Sequence, residues 1–332
     1  MPTQSLQVIG FSKEVTPGTF VAPTKFVPGT AQINPTNTVT APSQSRGTRS
    51  QVLDVVTAHA VAAQISCELI PEVISQLIAG WFGTGSDQVT GSSGAGYTHA
   101  LTPQPSCPSF SVELDSDIYT QILARKAVGN IIDQMTMTYQ AQQLVTAQFT
   151  TVGIRELTAA TPGLPSNPTP AIATLQPMDF SLLGATLNGG ATTQLISATL
   201  TAANQTQPVP SSNGQLYVTR LQPTQRKVTF STTLDFLDSS VYAYFATAAA
   251  TPAYSSTLAP FVLTLTSAGN ITGATNPWVV QFTLPNLRAQ DQYALSSASD
   301  VLQQQVSWSV TQGSAADEIS ASIRNSESAA LA

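Results

Sequence analysis

Apolar and polar residues alternate over two stretches far apart in the chain. In residues 60–69, Val61, Ala63, Ile65, Cys67 and Leu69 share one face, and Ala62, Gln64, Ser66 and Glu68 share the other. In residues 227–236, Val228, Phe230, Thr232 and Leu234 alternate with Thr229, Ser231, Thr233 and Asp235. A period of two with one apolar face predicts half-buried β-strands. A helical pattern follows each. Pro71 and Glu72 open the first, Val73, Ile74, Leu77, Ile78, Trp81 and Phe82 form its apolar stripe, and Gly83 ends it. Asp238 is the expected N-cap of the second, with Val241, Tyr244, Phe245 and Ala248 as its stripe.

Further strand patterns extend this parallel. Phe110, Val112 and Leu114 align with Val280, Phe282 and Leu284. Met135, Met137 and Tyr139 align with Val306, Trp308 and Val310, and the last strands are Val145–Val152 and Ile319–Ile323. The offset rises from 165 at Leu69/Leu234 to about 171, as small loop insertions would cause. The chain therefore reads as an internal duplication. The expected architecture is mainly β: two tandem β-sandwich or partial-barrel units, each with one flanking α-helix. The first unit spans 1–155, a Pro-rich linker 156–180, and the second unit 181–332. Residues of about 10–50 are rich in Pro and Thr and read as an extended arm, outside the core and ordered by neighbours. Residues 83–96, rich in Gly and Ser, read as a flexible loop.

Composition narrows the function. Apolar residues make up 42% of the 332, but charged residues only 9%, against roughly a quarter in ordinary globular domains. Soluble monomers rely on surface charge for colloidal stability, so a surface this poor in charge suits one covered in an assembly. The net charge of −6 and the lack of any basic run argue against nucleic-acid affinity, which needs clustered Lys and Arg. The start Met1-Pro2-Thr3-Gln4 has no signal-peptide pattern, and no apolar run approaches the roughly 20 residues that span a bilayer. Two cysteines make no disulfide framework and point to reduced thiols and assembly in a cytoplasm.

Candidate chemistry is sparse. His59 and His99 each precede a cysteine, Cys67 and Cys107, by eight residues, wider than zinc ligand pairs run. Gly91–Gly96 lacks the Lys-Ser/Thr ending of a phosphate loop. Glu68, Glu113, Asp115 and Asp117 could supply a carboxylate pair for glycoside chemistry, but no aromatic subsites accompany them. No catalytic, cofactor or metal residue is assigned.

The run from Lys13 to Pro28, with Glu14, Gly18-Thr19 and Ala22-Pro23-Thr24, resembles the opening of siphophage tail tube (major tail) proteins. So do the strand and helix of Val61–Phe82, the stretch Ile196–Thr201 leading through Asn204 to Leu234-Asp235-Phe236, Phe282-Thr283-Leu284-Pro285-Asn286 with Arg288, and Ile323-Arg324-Asn325. The resemblance spans nearly the whole chain. It implies a structural virion protein of a long non-contractile tail, with no active site or cofactor. The implied subunits form stacked rings around a tape measure protein, capped by tail terminator and distal tail or baseplate proteins, and double-stranded DNA passes through without specific binding. Single-unit members form rings of six, so a duplicated chain should form a trimeric pseudo-hexamer. The alternative is a receptor- or carbohydrate-binding β-protein of a virion or cell surface. It would need exposed aromatics in a groove.

A tube strand turns one face inward to its core and one to the channel. The expected lumen face is Gln64, Ser66 and Glu68, Ser111 and Glu113, Thr136 and Thr138, Thr229, Ser231, Thr233 and Asp235, Gln281 and Thr283, and Ser307 and Ser309. None is Lys or Arg. The same polar faces would also suit an outer, solvated surface.

Overall fold

A computed structural model describes residues 7–40, 54–118, 121–157, 177–192, 194–209, 215–236, 241–244, 258–298, 301–312 and 317–331. The elements of the first half are β1 (Gln7–Lys13), β2 (Lys25–Val27), β3 (Gly29–Thr40), β4 (Val55–Glu68), α1 (Pro71–Phe82), β5 (Asp87–Ser92), β6 (Gly96–Leu101), β7 (Phe110–Ile118), β8 (Gln121–Gln140), β9 (Thr146–Gly153) and β10 (Arg155–Leu157). Those of the second are β11 (Leu183–Leu187), β12 (Gly190–Ala191), β13 (Leu195–Ala203), β14 (Gln207–Val209), β15 (Arg220–Gln222), β16 (Lys227–Asp235), β17 (Ala259–Asn270), β18 (Pro277–Ala298), β19 (Val301–Val310) and β20 (Ser320–Asn325). The protein is mainly β, in large antiparallel sheets that do not close into a barrel, as in a β-sandwich.

Two long strands organise the sheets. β8 has 20 residues and β18 has 22, and each belongs to two sheets in turn. The start of β8 pairs with β7 and β10, and its end with β9 and β13. The start of β18 pairs with β17 and β20, and its end with β19. Register breaks mark both changeovers, at Ile132/Gln134 and at Ala289/Tyr293. Extra residues on one strand bend it and add twist, which carries it from one layer into the other.

The pairing scheme occurs twice. In residues 7–157, β2–β1–β7–β8–β10 form one sheet and β3–β4–β9–β8 the other. In residues 183–325, β12–β11–β17–β18–β20 and β13–β16–β19–β18 repeat both orders. One joint fuses the halves: the end of β8 pairs with β13, so eight strands run in one sheet, β3–β4–β9–β8–β13–β16–β19–β18. A second contact pairs β6 with β20.

This scheme sets β7, β8 and β9 against β17, β18 and β19. The sequence pattern sets them one strand further on, against β18, β19 and β20. The alternation of β17 (Phe261, Leu263, Leu265) is as clear as the others, but leaving it out displaces every later match by one strand. Four more expectations need correction. Residues 10–13 and the start of β3 are not outside the core: Ile9, Phe11, Val27, Ala31 and Ile33 are all buried in it. Residues 83–96 are not a loop but hold the β5–β6 hairpin, whose strands pair from Asp87/Leu101 to Ser92/Gly96. The second helix is described only as a 3-10 turn, Val241–Tyr244; Asp238, Phe245 and Ala248 lie outside the described residues. The linker begins inside a strand, since Arg155–Leu157 pair with β8, and 158–176 lie outside the described residues.

The core fills the space behind the eight-stranded sheet. From that sheet Ile65, Phe149, Met135, Met137, Tyr139, Leu200, Phe230 and Trp308 point inward, and all are buried. α1 closes part of this layer. Pro71 occupies its first turn, where no N–H is needed, and Gly83 at φ 114° ends it. Ile74, Leu77, Ile78, Trp81 and Phe82 are fully buried, each aliphatic side chain stabilising by about 1.5–3 kcal/mol.

Candidate functional site

With apolar side chains committed to the core, strand alternation sends the others to the opposite face of the eight-stranded sheet. Register aligns them in rows. One row runs Thr30, Ser66, Gln148, Thr136, Thr201, Thr229, Ser309, Arg288. The next runs Glu68, Thr146, Thr138, Thr199, Ser231, Ser307. A third runs Gln140, Ser197, Thr233, Gln305. Gln32, Gln64, Thr150 and Gln134 extend the face on one side, and Asp235 and Gln303 on the other. Over the first half the face is concave, an open depression of about 680 Å³ lined by Thr30, Ser66, Glu68, Thr136, Thr138 and Gln148 among others. No aromatic residue stands in these rows.

Eleven of the residues expected on one face lie together here: Gln64, Ser66, Glu68, Thr136, Thr138, Thr229, Ser231, Thr233, Asp235, Ser307 and Ser309. The other four do not. Ser111 and Glu113 belong to β7, beyond the point where β8 has left this sheet, and both are fully buried. The loop after β1 covers them: Ser111 Oγ donates to Glu14 Oε1 at 2.8 Å and accepts from the Val21 N–H, and Glu113 pairs with Lys126 at 3.1 Å. Gln281 and Thr283 lie on β18 before its bulge, in the sheet with β17 and β20; Gln281 Nε2 donates to Thr264 Oγ1 at 2.8 Å. Alternation gives the apolar sides of β7 and of early β18, but which sheet those strands join depends on the bulges, and a bulge leaves no mark in the period of two.

The sequence reading names Val145–Val152 as a strand and quotes Ile196–Thr201 but leaves the polar sides of β9 and β13 out of the face; their Thr146, Gln148, Thr150, Ser197, Thr199 and Thr201 complete the rows. Ile196–Thr201 alternates as plainly as β4 and could have been counted. It also missed two cations on this face, Lys227 and Arg288, both exposed.

Polar clusters also brace the joint between the halves. Asn204, buried, donates its amide to the carbonyls of Trp81 at 3.1 Å and Ile132 at 3.0 Å. The guanidinium of Arg226 lies 5.2 Å from the Trp81 ring centroid and donates to Glu318 Oε1 at 3.0 Å. His99 is buried with Asp87, while His59 bonds Asn37, so the two histidines and two cysteines form no common centre. Burial pushes the Cys67 thiol up to about 12 and the Cys107 thiol up to about 11. Glu68 and Glu113 lie in different sheets and make no carboxylate pair. Among the described residues no three His, Cys, Asp or Glu side chains are grouped as metal ligands, and no helix is long and apolar enough to cross a membrane.

A broad face of Thr, Ser and Gln with few charges, backed by a sandwich core and lacking aromatic platforms, fits a wall better than a binding groove. The sequence profile of the phage tail tube protein family matches residues 4–310. The chain belongs to that family. No curated protein matches it. A phage tail tube protein is a structural component of the virion tail, and the opening motif of this one has a structural task. Glu14 is buried and accepts four hydrogen bonds, from the Gly18 N–H and Ser109 Oγ at 2.8 Å on Oε2, and from Ser111 Oγ at 2.8 Å and the Gly129 N–H at 2.9 Å on Oε1. Gly18 sits at φ 80°, a conformation that suits glycine, and turns the loop back onto the carboxylate.

Proposed function

We propose that copies of this chain close into rings that stack into the tail tube, with the polar sheet face lining the channel that delivers double-stranded DNA to the host. The observation that carries this reading is the continuity of the polar rows across the β8–β13 joint: both halves contribute four strands to one face. Such a face stays wetted, and its few charges give phosphates little to bind.

The doubled pairing scheme supports three chains per ring in place of six. Three chains would supply about 24 strands; at about 4.8 Å spacing and ~40° tilt these close into a cylinder roughly 48 Å across between backbones, wide enough for a duplex. The tube is assembled in the host cytoplasm around a tape measure protein and capped by terminator and distal tail or baseplate proteins, as in a long non-contractile tail. Reconstruction of tubes from purified protein tests the reading. Rings of three chains with the Thr/Ser/Gln rows inward are expected. Six chains per ring would place one half of the chain outside the wall, and polar rows facing outward would remove the lumen assignment.

A further inference from the structure

Beneath the loop that follows β1, the β2–β1–β7–β8–β10 sheet buries an amine against a carboxyl. Glu113 on β7 and Lys126 on β8 lie directly opposite each other in the antiparallel ladder. Lys126 Nζ stands 3.1 Å from Glu113 Oε1, and the two side chains are 10% and 0% exposed. We propose that this pair condenses to an isopeptide bond between Lys126 Nζ and Glu113 Cδ, locking β7 to β8 covalently. The bond would form in the single chain, whether or not rings assemble, so its fate and that of the ring reading are separate.

The other ion pairs among the described residues are not set up for this step. Lys25 and Glu327 are 29% and 34% exposed, so water solvates both charges. Arg125–Glu156 and Arg226–Glu318 offer guanidinium groups, which keep their proton and make poor nucleophiles. His99–Asp87 offers an imidazole, whose acyl derivatives are intermediates and not stable products. The surroundings of Glu113 and Lys126 bring little that competes. Gly10 lies opposite Glu113 on β1 and has no side chain, and Leu157 lies opposite Lys126 on β10. The half-buried Phe20 ring of the overlying loop has its centroid 4.7 Å from Nζ and screens it from water.

Charges taken out of water lose most of their hydration, which favours the isomer in which one proton has crossed from ammonium to carboxylate. That isomer is a neutral amine touching a neutral carboxyl, the two reactants of an amide. The Nζ lone pair attacks Cδ and the N–C bond forms. The bond from Cδ to the hydroxyl oxygen breaks, and that oxygen leaves as water with its own proton and one from the nitrogen. No oxidant or co-reactant is consumed. Partners held in contact reach effective molarities of about 10⁵ M or more, far above the roughly 55 M of bulk water, so the balance turns from hydrolysis to the amide. Asp115 is buried two residues along the same face of β7 and lies diagonal to Lys126, within reach of its long side chain. Its carboxylate would carry the proton from the nitrogen to the leaving hydroxyl.

Mass spectrometry of the purified, folded full chain tests the bond. The intact mass should fall about 18 Da below that of the sequence, one water, and trypsin should no longer cut the denatured chain after Lys126. Lys126→Arg keeps a cation beside Glu113 but cannot condense, and should show the full sequence mass. Glu113→Gln offers a carboxamide that releases ammonia, for a deficit of about 17 Da. Asp115→Asn, timed from cell-free synthesis, should slow the appearance of the bond about 100-fold, since it removes the proton carrier and leaves both reactants. A folded native chain at full sequence mass, cut by trypsin after Lys126, would overturn the proposal. So would an equal deficit in Lys126→Arg, which would place the lost water elsewhere. Should Lys126→Arg misfold, sequencing the branched peptide of the native chain decides the site by itself: a branch at Glu113 and Lys126 supports the bond, and any other position overturns it. An unchanged rate in Asp115→Asn would remove that residue's part.

Discussion

The indole Nε1–H of Trp278 donates to Glu72 Oε1 across 2.6 Å, tying the first turn of α1 to the start of β18, 206 residues away. The same carboxylate accepts from Ser326 through its N–H at 3.0 Å and its hydroxyl at 2.8 Å. One side chain of the first half thus holds two segments of the second. Glu72→Ala leaves the largely buried indole N–H without an acceptor and should cost about 1–3 kcal/mol in urea unfolding. Glu72→Gln keeps one acceptor oxygen and should lose less. Equal, negligible losses would show that solvent replaces the carboxylate freely.

The opening motif gives a second prediction. Glu14 satisfies two backbone N–H groups and two hydroxyls in a site closed to water. Hydroxyls can turn to other acceptors, but the Gly18 and Gly129 N–H groups cannot. Glu14→Ala should therefore destabilise by at least about 2 kcal/mol. Its effect belongs to folding of the chain before any ring forms, so circular dichroism melts of the unassembled protein should show it. For the same reason, deleting residues 10–30 should produce misfolded chains. It removes Phe11 from the core along with Glu14, so soluble, folded chains that merely fail to polymerise are not expected.

A third prediction concerns pH. His99 is fully buried and meets only acceptors: Asp87 Oδ2 at 2.7 Å from Nδ1, and Asn325 Oδ1 at 3.0 Å and the Glu327 carbonyl at 2.9 Å from Nε2. The Asn325 orientation is set by its amide donating to Ser75 Oγ and its oxygen accepting from the Glu327 N–H. Burial pulls the imidazole's pKa down, but the hydrogen bond and charge of Asp87, with the two further acceptors, outweigh it and hold the pKa above 6.5. A raised pKa means that the folded state binds the proton more tightly than the unfolded chain does. The stabilisation is complete below pH 6.5 and is lost as pH climbs through the folded value. Asp87 Oδ2 also accepts from the Leu331 N–H, so the C-terminal segment should loosen with it. His99→Gln should flatten the fall in unfolding midpoint above pH 6.5, and hydrogen exchange at Leu331 should speed up with pH in the native chain beyond the intrinsic trend. Parallel pH profiles for native and variant chains would remove the role.

What the sequence disclosed and what it withheld divide along one physical line. Alternation fixes which face of a strand is apolar, and it named the polar sides of β4, β8, β16 and β19 correctly. It cannot say which sheet a strand joins. That choice is made at the bulges near Asp133 and beyond Ala289, where β8 and β18 change layers, and it is why Ser111, Glu113, Gln281 and Thr283 leave the face. The role of residues 7–40 was hidden for a related reason. The large or aliphatic side chains that β1 and β3 bury are Ile9, Phe11, Ala31 and Ile33, too few apolar positions to show a period, yet their backbone pairing with β7 and β4 sets them firmly in the sandwich. Buried carboxylates were equally silent, since Glu14 and Glu113 look like surface residues until their donors are seen.

The polar rows carry the last prediction. If they line the channel, the sliding duplex meets Thr, Ser and Gln with Glu68 and Asp235 toward one margin of the face and Lys227 and Arg288 toward the other. Acids repel phosphates at close range, and a Debye length of about 8 Å at physiological salt confines that repulsion to the wall. Glu68→Lys together with Asp235→Lys reverses the sign at two sites per chain without touching the core, since Glu68 is exposed and Asp235 only half-buried. Tubes should still form. DNA ejection should slow or stall, and more so at low ionic strength, where each phosphate contact holds longer. Glu68→Gln with Asp235→Asn removes the acids without adding cations and should leave ejection close to normal, separating lost repulsion from gained attraction. Ejection by the double Lys variant at the native rate, at both high and low salt, would mean that these residues do not meet the DNA and that the polar face is the tube's outer surface.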